Sequence, residues 1–204
     1  LGGGGTIPAC NRFGYGYAQG AIAAAAKKGV TGVEVKVSFQ YGSSFSASAE
    51  LKTQISGWYD NGTQVVFACG GSMFESVKSA AEETTNGKII GVDVDQSSLS
   101  ERVITSAVKG LSESVQLILG QFYAGEWDTK LADKTSNLGA AENATGLPTA
   151  NWRMSNFKVA DYNTLFNAIK NGTVAISTTP CAGDCGNAEV WTALNNDAVK
   201  VIYE

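Results

Sequence analysis

Two stretches decide the fold: Gln64-Val65-Val66-Phe67-Ala68-Cys69, which runs into Gly70-Gly71-Ser72, and Lys88-Ile89-Ile90-Gly91-Val92-Asp93, which runs into Val94-Asp95-Gln96. Each is a short apolar run of the kind that forms a strand covered on both faces. Between them Met73, Val77, Ala80 and Ala81 share one helical stripe, and Asn86-Gly87 supplies the stop. Strand, helix, strand at this spacing is a βαβ unit, and the two strands are then parallel neighbours. Loops at the carboxyl ends of parallel strands all lie at one edge of the sheet, where ligands of open α/β sheets bind. Phe67, Gly70, Gly71, Asp95 and Lys109 are expected to converge there.

The same alternation extends outward. Gly2 to Thr6, closed by Ile7-Pro8, reads as a short buried strand or a hinge. Asn11 is placed to cap a helix whose inner face is Phe13, Tyr17, Ala21 and Ala24. Val33 to Phe39 alternates apolar and polar residues as a strand with one wetter face, and Leu51, Ile55 and Trp58 mark the next helix. Arg102 to Thr105 reads as a short strand before a helix with an apolar stripe of Val108, Leu111, Val115, Ile118 and Phe122. Beyond Trp127 the pattern weakens, with strand-like fragments around Lys130 to Ala132. Val159 to Ile169 is expected to be helical, and Val199 to Tyr203 a final strand.

Composition excludes several classes of function. The chain has 204 residues, 17% of them charged, a net charge of -4 and no dense basic cluster, which argues against a nucleic-acid partner. It contains no histidine, so the usual general base, zinc ligand and catalytic triad are missing, and a non-catalytic role is expected. The four cysteines do not have zinc-site spacing, and Cys181 to Cys185 is not a Cys-x-x-Cys motif. A local Cys181–Cys185 disulfide is expected, with Cys69 reduced as a small buried filler. No apolar run is long enough to span a membrane. Starting at Leu1 and four glycines, the chain is expected to be part of a longer protein.

Several residues carry more than one reading. Gly70-Gly71-Ser72 is either a backbone nest for an oxygen-rich ligand or a tight turn that starts a helix. Asp93 and Asp95 suit a metal site, a hydroxyl-binding site, or a helix cap beside a solvated turn. A calcium loop is excluded, because Ser98 stands where its glycine and Ile104 where its bidentate glutamate are required. Phe67 is either core or a ligand platform. Lys109, placed at a helix start, opposes the dipole there unless something anionic or hydroxylated faces it.

Ile7-Pro8 with Phe13, Gly16, Tyr17 and Gly20, then Val66-Phe67-Ala68-Cys69-Gly70-Gly71, Gly91-Val92-Asp93-Val94-Asp95-Gln96 and Thr105-Ser106-Ala107-Val108-Lys109, resemble the basic membrane protein (BMP) family of PnrA-like nucleoside-binding lipoproteins of ABC importers. The resemblance implies an α/β fold with a Rossmann-like parallel sheet flanked by helices, one lobe of a type I periplasmic-binding-protein fold. Residues 1–127 would be that ligand-binding lobe and 128–204 the carboxyl-terminal segments with the cross-over, the amino-terminal lobe lying outside this chain. It also implies an extracytoplasmic, lipid-anchored parent that delivers a purine nucleoside to an importer permease, with no cofactor and no metal. Phe67 would stack on the base, Gly71 with Gly70 would offer backbone contacts, and Asp95 with Lys109 would hold the ribose hydroxyls, Asp93 serving to end its strand. A lobe without its partner lobe is also expected to self-associate.

Overall fold

A computed structural model describes residues 1–3, 6–39, 45–177, 185 and 187–204. Its strands are β1 (Val33–Val37), β2 (Val65–Phe67), β3 (Lys88–Asp93), β4 (Val103–Lys109), β5 (Thr145–Gly146) and β6 (Val199–Tyr203). The helices are α1 (Pro8–Lys28), α2 (Ala49–Asp60), α3 (Met73–Glu82), α4 (Leu111–Tyr123), α5 (Val159–Lys170) and α6 (Ala188–Thr192).

β2, β3 and β4 pair in parallel, as the βαβ reading requires, and β5 adds antiparallel to β4. β6 pairs parallel with β1. Leu1 and Gly2 join these two pieces into one sheet. Gly2 N–H donates to Ser38 C=O at 2.8 Å, Cys69 N–H donates to Leu1 C=O at 3.0 Å, and Gly2 forms parallel bridges with both Phe39 and Cys69. Of the segment Gly2 to Thr6, Gly2 alone bridges to the sheet and Thr6 lies in an exposed turn, residues 4 and 5 being outside the described ones. An added Cβ at Gly2 would come within 2.6 Å of the Phe39 ring, so the close approach requires glycine there.

The sheet is covered on both faces, and side-chain alternation decides which residue meets which layer. Val66, Ala68 and Ile89 join Ile55, Trp58, Met73, Phe74, Val77 and Val103 in the layer under α2 and α3. Phe67, Cys69 and Val92 join Cys10, Ala18, Phe39, Trp191 and Val201 in the layer under α1 and α6. Ile55, Val77, Ile89 and Val103 are fully buried, each worth about 1.5–3 kcal/mol of transfer free energy.

Helix starts depart from the sequence reading. α1 begins at Pro8, whose ring suits a first-turn position, so Asn11 is a buried residue within the helix and not its cap. The buried alanine of its last turns is Ala25, whereas Ala24 is exposed. Ser48 caps α2 through the Leu51 N–H. Ser72 precedes α3 but its hydroxyl donates to Phe45 C=O at 3.0 Å instead of capping. Trp127–Leu131 forms a π-helical turn where strand fragments are expected around Lys130.

The largest departure is α4. Its apolar stripe has the anticipated spacing but does not enter the core: Leu111, Val115, Leu119 and Phe122 are exposed, and Trp127 extends the same surface. Such a contiguous apolar face on a monomer marks a surface made to be covered. We expect this chain to self-associate through it, and the double substitution Leu111→Glu, Val115→Lys to shift sedimentation toward monomer while changing unfolding free energy by no more than about 0.5 kcal/mol. Unchanged association in that variant would show that α4 is not the adhesive face.

Candidate functional site

Three parallel strands ending at one edge bring Asp93, at the end of β3, beside Lys109, at the end of β4. The register of this pairing is set by an irregularity in β4. Ile89 lies opposite Val103 and Ile90 opposite Thr105, so Ile104 is an extra residue. Beyond it Ser106 faces Gly91 and Val108 faces Asp93. Lys109 is therefore the last residue of a strand, one position before Gly110 at the start of α4, and not a residue of the helix. The polar Thr105-Ser106 pair, which reads as a strand end in the sequence, is buried mid-strand.

The loop after β3 is held by Gln96. Its side-chain Oε1 accepts from Val92 N–H at 2.9 Å, and its own N–H donates to the Ser106 hydroxyl at 3.1 Å. Space for this fold-back exists because position 91 has no side chain. A Cβ on Gly91 would lie 2.4 Å from Gln96 Oε1 and 2.7 Å from Ser106 Oγ. Gly91, Gln96 and Ser106 thus form one unit, which gives the Gly-Val-Asp-x-Asp-Gln and Thr-Ser-x-x-Lys spacings a physical reason.

The clasp turns the chain sharply at Asp93. Val94 N–H donates to Val92 C=O at 2.8 Å, closing a three-residue turn with Asp93 at its centre at φ 69. Positive φ in a non-glycine residue is unfavourable, and such positions gather at functional sites. Asp93 Oδ1 sits 2.6 Å from Lys109 Nζ, both side chains remaining more than a third exposed. The counter-charge of Lys109 is thus Asp93, the carboxylate that the sequence reading assigns only to ending its strand. The physical reason is the bend: positive φ breaks the alternation that would have placed Asp93 and Asp95 on one face.

Asp95 is turned the other way. Its Oδ1 accepts from Ser97 N–H at 3.0 Å, and Asn151 Nδ2 reaches its Oδ2 at 3.5 Å. Burial opposes its ionisation, but the Ser97 hydrogen bonds, Asn151 and the Arg153 charge outweigh burial and hold its carboxyl below the ordinary range. Arg153 fixes this second group by donating to Ser100 C=O and Val103 C=O, both at 2.9 Å. Nothing in the weak pattern after Trp127 points to these contacts.

Phe67 lies in the core layer, 8% exposed, with Phe13 edge-on at 6.1 Å between centroids and Tyr17 tilted at 5.8 Å. Phe13 is less buried, and Lys109 Nζ stands 6.0 Å from its ring centroid. The aromatic ring that faces the charged pair is therefore Phe13, a residue the sequence reading assigns only to packing. Gly71 adopts φ 47, a conformation suited to glycine, and Gly70 is buried against Met73 Sδ and Phe45. Together Phe13, Asp93 and Lys109 present an apolar ring, an acceptor and a donor at one edge, suited to a ligand with a flat apolar part and neighbouring hydroxyls. Among the described residues no group of three or more His, Cys, Asp or Glu side chains is arranged to hold a metal ion.

Cys10 and Cys69 are free thiols, and Cys185 is disulfide-bonded. Cys181, the partner expected from the sequence, lies outside the described residues. Among the described residues no helix is long and apolar enough to cross a membrane.

Gly91→Ala is expected to lower unfolding free energy by roughly 1–3 kcal/mol, since backbone or Gln96 must move to admit the methyl group. Gln96→Ala in the Gly91→Ala background should recover part of that loss; denaturant titration showing strictly additive losses would contradict the clasp.

The fold resembles that of an ABC transporter system solute-binding protein from Aeropyrum pernix K1, with a TM-score of 0.53 at 15% identity, over 89% of this chain and 66% of that one. The ABC transporter nucleoside-binding protein BmpA of Lactococcus lactis subsp. cremoris (strain MG1363) is 36% identical over 97 residues, which are 44% of this chain and 26% of that protein. The chain thus spans about a quarter of the curated relative and 66% of the solved structure. The family described as ABC transporter substrate-binding protein PnrA-like matches residues 1–179, and the chain, with its parallel α/β sheet and carboxyl-edge loops, belongs to that Bmp family.

Proposed function

We propose that this chain forms the ligand-binding lobe of an extracytoplasmic, lipid-anchored solute receptor that captures a purine nucleoside and hands it to an ABC importer permease, without catalysis. The observation that carries the reading is the strained Asp93 carboxylate paired with Lys109 at the carboxyl edge of the sheet. A carboxylate accepts from two neighbouring hydroxyls at once, and an adjacent ammonium donates to their oxygens, so the pair suits a ribose diol. Phe13 lies beside the pair and supplies an apolar ring for the base, with Phe67 and Tyr17 packed behind it. The nucleoside-binding name of the Lactococcus relative supports the same class of ligand.

A second lobe is part of this proposal. The site is open on one side, and the exposed face of α4 is suited to cover by another unit of the same polypeptide. Residues 1–127 would then form one side of the clamp and 128–204 the segments that cross between lobes, with β6 returning to β1. This chain alone would bind nucleoside weakly, since half of the desolvation of the base comes from the opposing lobe.

Calorimetry on the two-lobed parent, with nucleoside and with free base, tests the reading. Charge-assisted hydrogen bonds of about 1.5–3 kcal/mol imply that Asp93→Ala weakens nucleoside binding by roughly 10- to 150-fold and leaves free-base binding nearly unchanged. Asp95→Ala, whose carboxylate serves Ser97 and Asn151, should weaken nucleoside binding by about threefold or less. Equal losses from the two variants, or equal losses for nucleoside and base, would overturn the assignment of Asp93. Free ribose binding as tightly as the nucleoside would replace it with a sugar receptor.

A further inference from the structure

The outer edge of β4 is held by a strap that ligand binding does not use. β5 pairs antiparallel with β4 only at Gly146 opposite Val108 and Thr145 opposite Lys109. Past that point the ladder stops, because the Leu147 N–H turns to the Tyr162 hydroxyl at 2.9 Å and Pro148 has no N–H to give. Counted on in the same register, residue for residue, the chain brings Arg153 level with Glu101, and the two side chains do meet, Nη2 to Oε1 at 3.2 Å. Residues 147–153 thus accompany β4 without a strand pairing, tied at one end by Tyr162 and at the other by Arg153.

The ion pair is the lesser part of this contact, since the Glu101 side chain is 92% exposed and such pairs contribute little. One nitrogen of Arg153, Nη1, donates to both Ser100 C=O and Val103 C=O, each at 2.9 Å. Ser100 C=O also accepts from Val103 N–H at 3.1 Å, so the turn into β4 is closed twice. Ile89 N–H donates to Arg102 C=O at 2.9 Å, which shows that the Arg102 carbonyl faces β3. By strand alternation the Val103 carbonyl then faces the opposite edge, where no strand among the described residues pairs with it. The next residue is Ile104, the extra residue of the bulge, where the ladder is locally disrupted. Arg153 therefore clamps the backbone immediately before the irregularity that sets the register of β4.

We propose that Arg153 is a positioning residue for the candidate site: by holding Ser100 and Val103 it fixes the bulge at Ile104, and through the register of β4 it sets Lys109 against Asp93. Beyond the bulge Ser106 lies opposite Gly91, where its hydroxyl receives the Gln96 N–H, and Val108 lies opposite Asp93. Loss of the bulge would shift every later residue of β4 by one position, about 3.3 Å, and turn each side chain to the other face. Ser106 would then leave Gln96, and Lys109 would leave Asp93. The consequence for affinity rests on the nucleoside reading of the Asp93–Lys109 pair, whereas the consequence for β4 does not.

The test is amide hydrogen exchange, read residue by residue by NMR, on this chain and its Arg153→Met, Arg153→Lys and Glu101→Ala variants. Arg153→Met should speed exchange of the Gln96 and Val92 amides, the two donors of the clasp, roughly tenfold or more. The Ala68 amide, which donates to Ile90 C=O at 2.9 Å on the far side of β3, should exchange as before. Arg153→Lys should stay within about threefold of the unsubstituted chain, since one ammonium also offers a proton to each carbonyl. Glu101→Ala should change none of these rates. Unchanged exchange at Gln96 would overturn the proposal, and so would equal acceleration at Gln96 and Ala68, which marks a general stabiliser. If Arg153→Met does not fold, Arg153→Gln, whose shorter side chain reaches fewer of the carbonyls, is read in the same way. On the two-lobed parent, calorimetry should show Arg153→Met weakening nucleoside binding roughly tenfold, free base nearly unchanged, and no further loss when added to Asp93→Ala. Full additivity with Asp93→Ala would overturn the positioning role. If Asp93→Ala itself leaves nucleoside binding intact, the nucleoside reading falls, and the exchange rates still decide the role of Arg153.

Discussion

The side chain of Gln96, accepting from Val92 N–H and anchored through its own N–H to Ser106, is the contact on which the carboxyl edge of the sheet depends. Without it the chain after Asp93 has no reason to bend back over β3 and β4. A straight continuation would send Asp93 away from Lys109 and leave two charges apart in a partly buried setting. The polar clasp spans two strands, so it also ties the register of β4 to the loop after β3. Its cost is a non-glycine residue at positive φ, and the ion pair with Lys109 helps to offset it.

Much of the scaffold was readable from apolar periodicity. Lys88–Asp93 and Val199–Tyr203 emerge as strands with the bounds read from the sequence, because each is a short apolar run with clear punctuation. Periodicity shows which residues share a face but not what the face meets, and α4 is the case in point. Its stripe of Leu111, Val115 and Phe122 is regular and exposed. Hydrophobicity in a helix is consistent with a core or with an interface, and only contacts separate them.

The candidate site was legible as a place in the fold and less so as a set of contacts. Parallel strands dictate that Phe67, Gly70, Gly71, Asp93, Asp95 and Lys109 gather near one edge, whatever their side chains do. Which carboxylate meets Lys109 depends on a single backbone angle, and an aspartate gives no sign of positive φ as a glycine would. The bulge at Ile104 is equally silent in sequence, since Ile is a good strand former and its neighbours Thr105 and Ser106 suggest an end. Phe13 was hidden by its place on an amphipathic helix, where aromatic residues ordinarily pack.

The pairing of β6 with β1 bears on how the chain reaches this state. Val199 must find Val33, so this edge forms from segments separated by nearly the whole polypeptide. Contacts of such long range are entropically slow to close, and strands β2 to β4 are assembled from much nearer neighbours. During synthesis the α2 to β4 region has what it needs to fold before β6 emerges. Until then β1 presents an unpaired strand edge, the kind of surface that recruits other chains. Assembly of this fold is therefore ordered outward from strands β2 to β4, and the interval before β6 docks is when the nascent protein most needs protection.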